Sequence, residues 1–274
     1  MEKIKILETF KQGKINQELC EDAFFISDAY VAVIDGVTSK SDFRYEGKTT
    51  GKLAEEIIYR VFETLKGEES LQRIIEQINR EYESFYQRVD FPYNRAERGL
   101  QAACVIYSSR CRQIWMIGDC QASVDGRVYL NTKKSDEILA DVRSLILSIR
   151  DKEGGTEGDQ EARDIILPWI LKSTSYANDD TSEYGYSVLN GQEIPDRLIK
   201  TISLDDQAHE IILTSDGYPK VKETLRASEG YLEQILKDDP GCYRRYRSTK
   251  GIREGQSSFD DRTYVRFTVE SEEV

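Results

Sequence analysis

The stretch VAVIDGVTSK, Val31–Lys40, decides how the chain is read. Val31, Ala32, Val33 and Ile34 make an apolar run suited to a strand buried on both faces, yet it ends in a carboxylate. Gly36, directly after Asp35, lets the backbone bend sharply or approach a ligand closely, so Asp35 and Gly36 read as a presented pair. The later stretch EIILTSDGYP, Glu210–Pro219, repeats the grammar with Ser215, Asp216 and Gly217. One such strand end is an ordinary turn. Two call for a chemical explanation.

Outward from these strands, the period of the apolar residues changes along the chain. Ile4 to Phe10, Ala23 to Ile26 and Tyr30 to Ile34 read as strands, the last two joined by a hairpin at Ser27-Asp28. From Gly47 to Lys66 the spacing of Leu53, Ile57, Ile58, Val61 and Leu65 is helical, and Ser70 caps a second amphipathic helix through Val89. Strand character returns at Leu100 to Tyr107, Gln113 to Ile117, Val128 to Leu130, Leu198 to Ser203, Glu210 to Ser215 and Thr263 to Val269. Helices are expected at Ser135 to Arg150, Gln160 to Leu171 and Gly230 to Lys237, the first two separated by a glycine-rich break at residues 154–156. Hairpins mixed with helix pairs imply an α/β sandwich rather than regular βαβ winding.

No Pro/Gly/Ser linker divides the 274 residues, so residues 1–274 read as one domain. The 38 Lys and Arg against 50 Asp and Glu give a formal charge of −12, which argues against a nucleic-acid partner and against an anionic membrane. No window has the apolar length of a membrane span, and the N-terminal MEKIKILETF lacks a signal-peptide core, so a cytoplasmic location is expected. Five dispersed cysteines without a CxxC spacing fit reduced thiols. His209 is the single histidine, which excludes His-rich zinc sites and leaves any Ser-His-Asp triad hanging on one residue. EGKTTGKL, Glu46–Leu53, imitates a phosphate loop, but neither register has Gly five positions before its Gly-Lys. It reads instead as a helix start with solvated lysines.

The remaining signals are acidic residues at strand ends: Glu21-Asp22, Asp35-Gly36, Gly118-Asp119, Asp216-Gly217 and Asp260-Asp261. Gathered at one end of a sandwich, such carboxylates repel one another and burial raises their pKa values, unless cations sit among them. A ligand set of carboxylates, a carbonyl and water suits Mg²⁺ or Mn²⁺ before Zn²⁺. Two such ions about 3.5–4 Å apart can clamp a phosphoryl group without a side-chain nucleophile.

The succession EDAFF, AVIDG, GDCQA, ILTSDG and SFDDRT, across Lys5 to Phe267, resembles the type 2C metal-dependent Ser/Thr protein phosphatases (PPM). The resemblance implies an α+β fold, a four-layer α-β-β-α sandwich of two central antiparallel sheets flanked by helix pairs. It implies hydrolysis of phosphoserine and phosphothreonine esters in signalling, through direct attack by a hydroxide bridging two Mn²⁺ or Mg²⁺ ions. Asp35 would bridge the ions, the Gly36 carbonyl would bind one of them, and Asp216 and Asp260 would hold the second. Asp22 with Glu21 would act on the first ion's water shell, Asp119 would hold a weaker third ion shared with Asp216, and Asp261 would support its neighbours. Asp35 and Asp216 are thus the expected catalytic residues.

Departures from the family pattern concern substrate handling. Val37-Thr38-Ser39 follows the first Asp-Gly where relatives carry a histidine, and Gln17 stands at the offset of the family's phosphate-binding arginine, with Lys14 nearby. Lys14 and Gln17 are therefore the expected phosphate contacts; a lysine gives charge without the bidentate fork of arginine. Cys120 replaces a serine and is expected as a small buried side chain. Residues 131–196 correspond to a variable stretch and are expected as a lid-like insertion. Two other readings stay open: a phosphatase of small phosphate esters, and a pseudo-phosphatase that binds without turnover. Oligomeric state leaves no mark in the sequence.

Overall fold

The computed structural model describes residues 3–154 and 159–270. Ten strands form two five-stranded antiparallel sheets. One has the order β1 (Lys3–Gln12), β10 (Arg262–Glu270), β9 (His209–Thr214), β6 (Gln121–Val124), β7 (Arg127–Leu130). The other runs β2 (Asp22–Ile26), β3 (Tyr30–Gly36), β4 (Ala102–Ser108), β5 (Gln113–Ile117), β8 (Lys200–Ser203). The core strand β3 is apolar from Tyr30 to Ile34 because it is covered twice. Val31 and Val33 meet Val105, Leu213, Val265 and Phe267 between the sheets, while Ala32 and Ile34 face the helices on the outside.

Those helices are α1 (Thr50–Thr64) and α2 (Leu71–Arg88). Thr49 caps the first by accepting the Lys52 N–H at 3.1 Å, and Ser70 caps the second by accepting the Arg73 N–H at 3.3 Å. Their buried stripes, Leu53, Ile58 and Phe62 with Ile74, Ile78 and Tyr82, close on the sheet at helical spacing. A short helix α3 (Arg95–Arg98) follows. Beyond the other sheet, Ile212 and Tyr264 pack against Tyr218, Val221 and Leu225, at the start of α6 (Leu225–Asp238). The layers therefore run α-β-β-α. Helices α4 (Lys134–Lys152) and α5 (Asp159–Lys172) pack on each other, and among the described residues no helix is long and apolar enough to cross a membrane.

Four details differ from the sequence reading. The first helix starts at Thr50 rather than Gly47, because Gly47 takes φ +77° and Tyr45 pairs with Lys48 in a tight turn. β6 was not expected, since Gln121 and Ser123 look solvent-facing but are buried between β7 and β9. Pro195 and a helical turn at Asp196–Leu198 delay β8 to Lys200. α6 begins at Leu225, where Thr224 accepts the Ala227 N–H at 3.2 Å, so Gly230 lies inside it. Past Gly154, the expected glycine-rich break lies outside the described residues.

Candidate metal centre

Antiparallel pairing brings the acidic pairs to one end of the two sheets. Asp22 opens β2 directly across from Asp35, which sits one residue before the end of β3. Asp119 follows β5, Asp216 follows β9, and Asp260 and Asp261 precede β10. Carboxylate oxygens of Asp35, Asp119 and Asp216 all lie within 4.8 Å of one another.

Glycine makes the approach possible. A Cβ on Gly36 would stand 2.2 Å from the Gly51 carbonyl oxygen and 2.8 Å from that of Glu21, so the start of α1 rests on the bare backbone after Asp35. Gly51 is equally confined, its would-be Cβ 2.6 Å from the Val37 carbonyl oxygen. The phosphate-loop imitation at Glu46–Leu53 is thus a packing device. Its lysines are not solvated but ion-paired, Lys48 to Glu56 at 2.7 Å and Lys52 to Glu55 at 2.6 Å. After β5, Gly118 takes φ +79° with its N–H donated to the Ser187 hydroxyl at 3.0 Å, which turns Asp119 inward.

Five of the seven acidic residues at this end divide into two groups. Burial, reinforced by neighbouring carboxylates, pushes Asp35 and Asp216 well above the ordinary aspartate pKa and raises Asp119. Asp22 behaves the same way: burial outweighs the hydrogen bond from Ser215, and its second oxygen, Oδ2, is buried without a partner. Asp260 goes the other way. Burial opposes its charge, but Lys14 at 3.0 Å and Lys250 in direct contact hold it below the ordinary value. Lys14 also reaches Asp261 at 3.2 Å, Glu21 at 3.4 Å and the Thr38 hydroxyl at 3.1 Å. Asp261 accepts the backbone N–H groups of Lys14 (2.7 Å) and Glu21 (3.1 Å), and Glu21 accepts the Thr49 hydroxyl at 2.5 Å. Glu21 and Asp261 therefore brace the backbone around the centre.

Over the carboxylates opens a cavity of about 510 Å³. Asp35, Asp119, Asp216 and Asp260 line it together with Lys40, Lys133, Arg163 and Lys250. Described residues between 131 and 196 build much of the wall, and Asn131 ties them to β5 by donating to the Met116 carbonyl at 3.4 Å. Lys133 pairs with Asp136 at 3.1 Å, whereas burial, with Lys133 close by, pushes Lys40 down to about 8.

Not every expected residue arrives. Gln17 accepts the Gly13 N–H and donates to the Lys11 carbonyl, and it lines neither this cavity nor its neighbour. Its side chain is engaged by the loop after β1. Asp260 lies on the cavity but is clasped by lysines rather than grouped with Asp35 and Asp216. His209 opens β9 at the end opposite Asp216, bonded to Asp125 at 2.7 Å and Asp205 at 2.9 Å. Cys120 is fully buried. Lys40, Lys133, Arg163 and Lys250 were missed. Only Lys40, five residues after Asp35, carried a local signal; the others come from segments without a motif.

An oxygen-only donor set, crowded acids with raised pKa values and an unpartnered buried carboxylate oxygen together fit a hard divalent cation. Comparison with known proteins bears on the fold. No protein-family model and no curated protein matches the chain, but solved structures do. The catalytic domain of the serine/threonine protein phosphatase PstP, solved with 2 manganese ions, superposes with a TM-score of 0.51 at 13% identity, covering 98% of this chain and all of that one. A bacterial serine phosphatase superposes with a TM-score of 0.50 at 15% identity, over 97% of this chain and 98% of its own. The chain has the fold of these phosphatases. At such identity the likeness extends over both sheets and says nothing of individual side chains.

Proposed function

We propose that the protein is a metal-dependent phosphatase of phosphoserine and phosphothreonine in proteins, formed by residues 1–274 as one catalytic domain. The convergence of Asp35, Asp119 and Asp216 beneath a cavity also lined by lysines and an arginine carries this reading. Asp35, Asp119 and Asp216 would hold Mn²⁺ or Mg²⁺, with the Gly36 carbonyl, Asp22 and Asp260 completing places for two ions and a weaker third. Bound divalent cations would supply Lewis acidity at the phosphoryl group and a water nucleophile ionised near neutral pH. The chain's own part is positional and electrostatic. Lys250 and Lys40 draw a phosphate dianion into a centre that is otherwise acidic, Lys133 adds charge from α4, and residues 131–196 stand over the cavity as a lid. All five cysteines are free, four of them buried, which supports a reducing, cytoplasmic setting for this activity.

The test is turnover of an aryl phosphate and a phosphothreonine peptide with added Mn²⁺ or Mg²⁺. Asp35→Ala and Asp216→Ala should each lose about a hundredfold or more, since a displaced cation forfeits several kcal/mol of charge stabilisation. Wild-type turnover in either variant overturns the reading. A second reading, a phosphate-binding module without turnover, is favoured by the double lysine clasp on Asp260, which competes with a cation there. It predicts a folded protein without Mn²⁺ affinity by calorimetry.

A further inference from the structure

Beside the carboxylate cavity lies a second one of about 560 Å³. Thr38, Lys40, Arg163 and Lys250 line both, so the two share a wall. A group seated over the carboxylates is therefore next to the second space.

The charge around that space is lopsided. Lys14, Lys40, Arg98, Arg163, Lys250 and Arg253 line it, against Asp42 and Asp164. Neither acid is in ion-pair contact with them among the described residues: Asp42 accepts the Tyr93 hydroxyl and Asp164 accepts the Gln160 amide at 2.6 Å. Lys40 donates to the Thr38 carbonyl at 3.2 Å and Arg163 to the Thr249 carbonyl at 2.8 Å, and neither they nor Arg253 has a carboxylate in ion-pair contact among the described residues. Burial, with Lys133, Arg163 and Lys250 adding like charge, depresses Lys40, a cost that an incoming anion would relieve. In a chain with a formal charge of −12, counter-ions are plentiful. Surface cations elsewhere use them, as Lys48, Arg244 and Arg266 do. Lys14 and Lys250 are held by Asp260, but the half-buried Lys40 and Arg163 and the exposed Arg253 are left for something outside the chain.

We propose that the second cavity is a specificity pocket for a second anionic group, a carboxylate or a phosphate, carried by the same phosphopeptide whose scissile phosphate lies over Asp35, Asp119 and Asp216. This rests on the phosphatase reading for the scissile phosphate; the recognition of the second anion rests on the basic cavity alone. The preferred substrates are phosphoproteins with acidic or multiply phosphorylated sequence around the target residue.

The experiment uses a phosphothreonine peptide in an alanine-rich frame, and a set with Glu or phosphoserine at each position within three residues of it. Affinity for the metal-free protein is read by fluorescence anisotropy, and kcat and KM are read with Mn²⁺. The best-placed Glu or phosphoserine should tighten binding and lower KM about tenfold or more, the size of one added charge-assisted hydrogen bond. The Glu and phosphoserine arms tell which anion is taken. In Lys40→Gln/Arg253→Gln that ratio should fall to near one, and because it compares peptides on one protein, a general loss of affinity leaves it interpretable. Equal affinity for every peptide, or a preference that survives the double substitution, overturns the proposal. Failure to hydrolyse any phosphate ester would remove the phosphatase reading, while a binding preference abolished by the double substitution would still support the pocket.

Discussion

Lys14 stands among the carboxylates of Glu21, Asp260 and Asp261, nearly out of water. Replacing it with methionine keeps the apolar stem and deletes the charge, leaving buried acids short of a partner. Lys14→Met should cost about 3–5 kcal/mol in urea unfolding with a chelator present at pH 7. The sign follows from Asp260, whose depressed pKa stabilises the fold above the ordinary aspartate value of about 3.9 and ceases to do so as pH falls through the folded value. The deficit of Lys14→Met should therefore shrink in acid. His209 gives the opposite sign. Burial disfavours its charge, but hydrogen bonds to Asp125 and Asp205 outweigh it and raise its pKa. Its contribution is complete below about 6.5, the ordinary histidine value, and is lost as pH rises through the raised one. His209→Gln should melt below wild type at pH 5.5 and alike in alkali, by only about 0.5–1 kcal/mol because Asp125 and Asp205 are solvated.

Strand β3 and helix α1 meet through bare backbone, Gly36 against Gly51, and this contact sets where Asp35 points. Gly36→Ala should destabilise by about 1–3 kcal/mol through overpacking, read by thermal melting. It should also weaken Mn²⁺ binding, because the strand end must shift. The sequence made β3, β4, α1 and α2 legible, since long apolar runs and helical stripes are set by burial on known faces. β6 was illegible for the same reason in reverse: a strand of small and polar residues buried between two others has no local pattern. The helix start misplaced at Gly47 shows a turn overriding propensity, as Gly47 and Glu46 both take positive φ.

Taken whole, the molecule gathers its acids without pairing most of them, so added cations should act on stability as well as on activity. With Mn²⁺ at about a hundred times its dissociation constant, unfolding should become harder by about 2.7 kcal/mol, and Asp35→Asn should abolish the gain. The acidic half of the centre was legible because Asp-Gly and Asp-Asp steps recur at strand ends. The basic half was not, since Arg163 and Lys250 reach the cavity from α5 and from the loop before β10, and only tertiary structure brings them in. The bond from Lys14 to Asp260 joins residues 246 apart, held together because β1 lies alongside β10. A nascent polypeptide must therefore have both β1 and β10 outside the ribosome before the clasp can close. Asp260 cannot take its place beside Lys14 on a chain that has not yet reached β10.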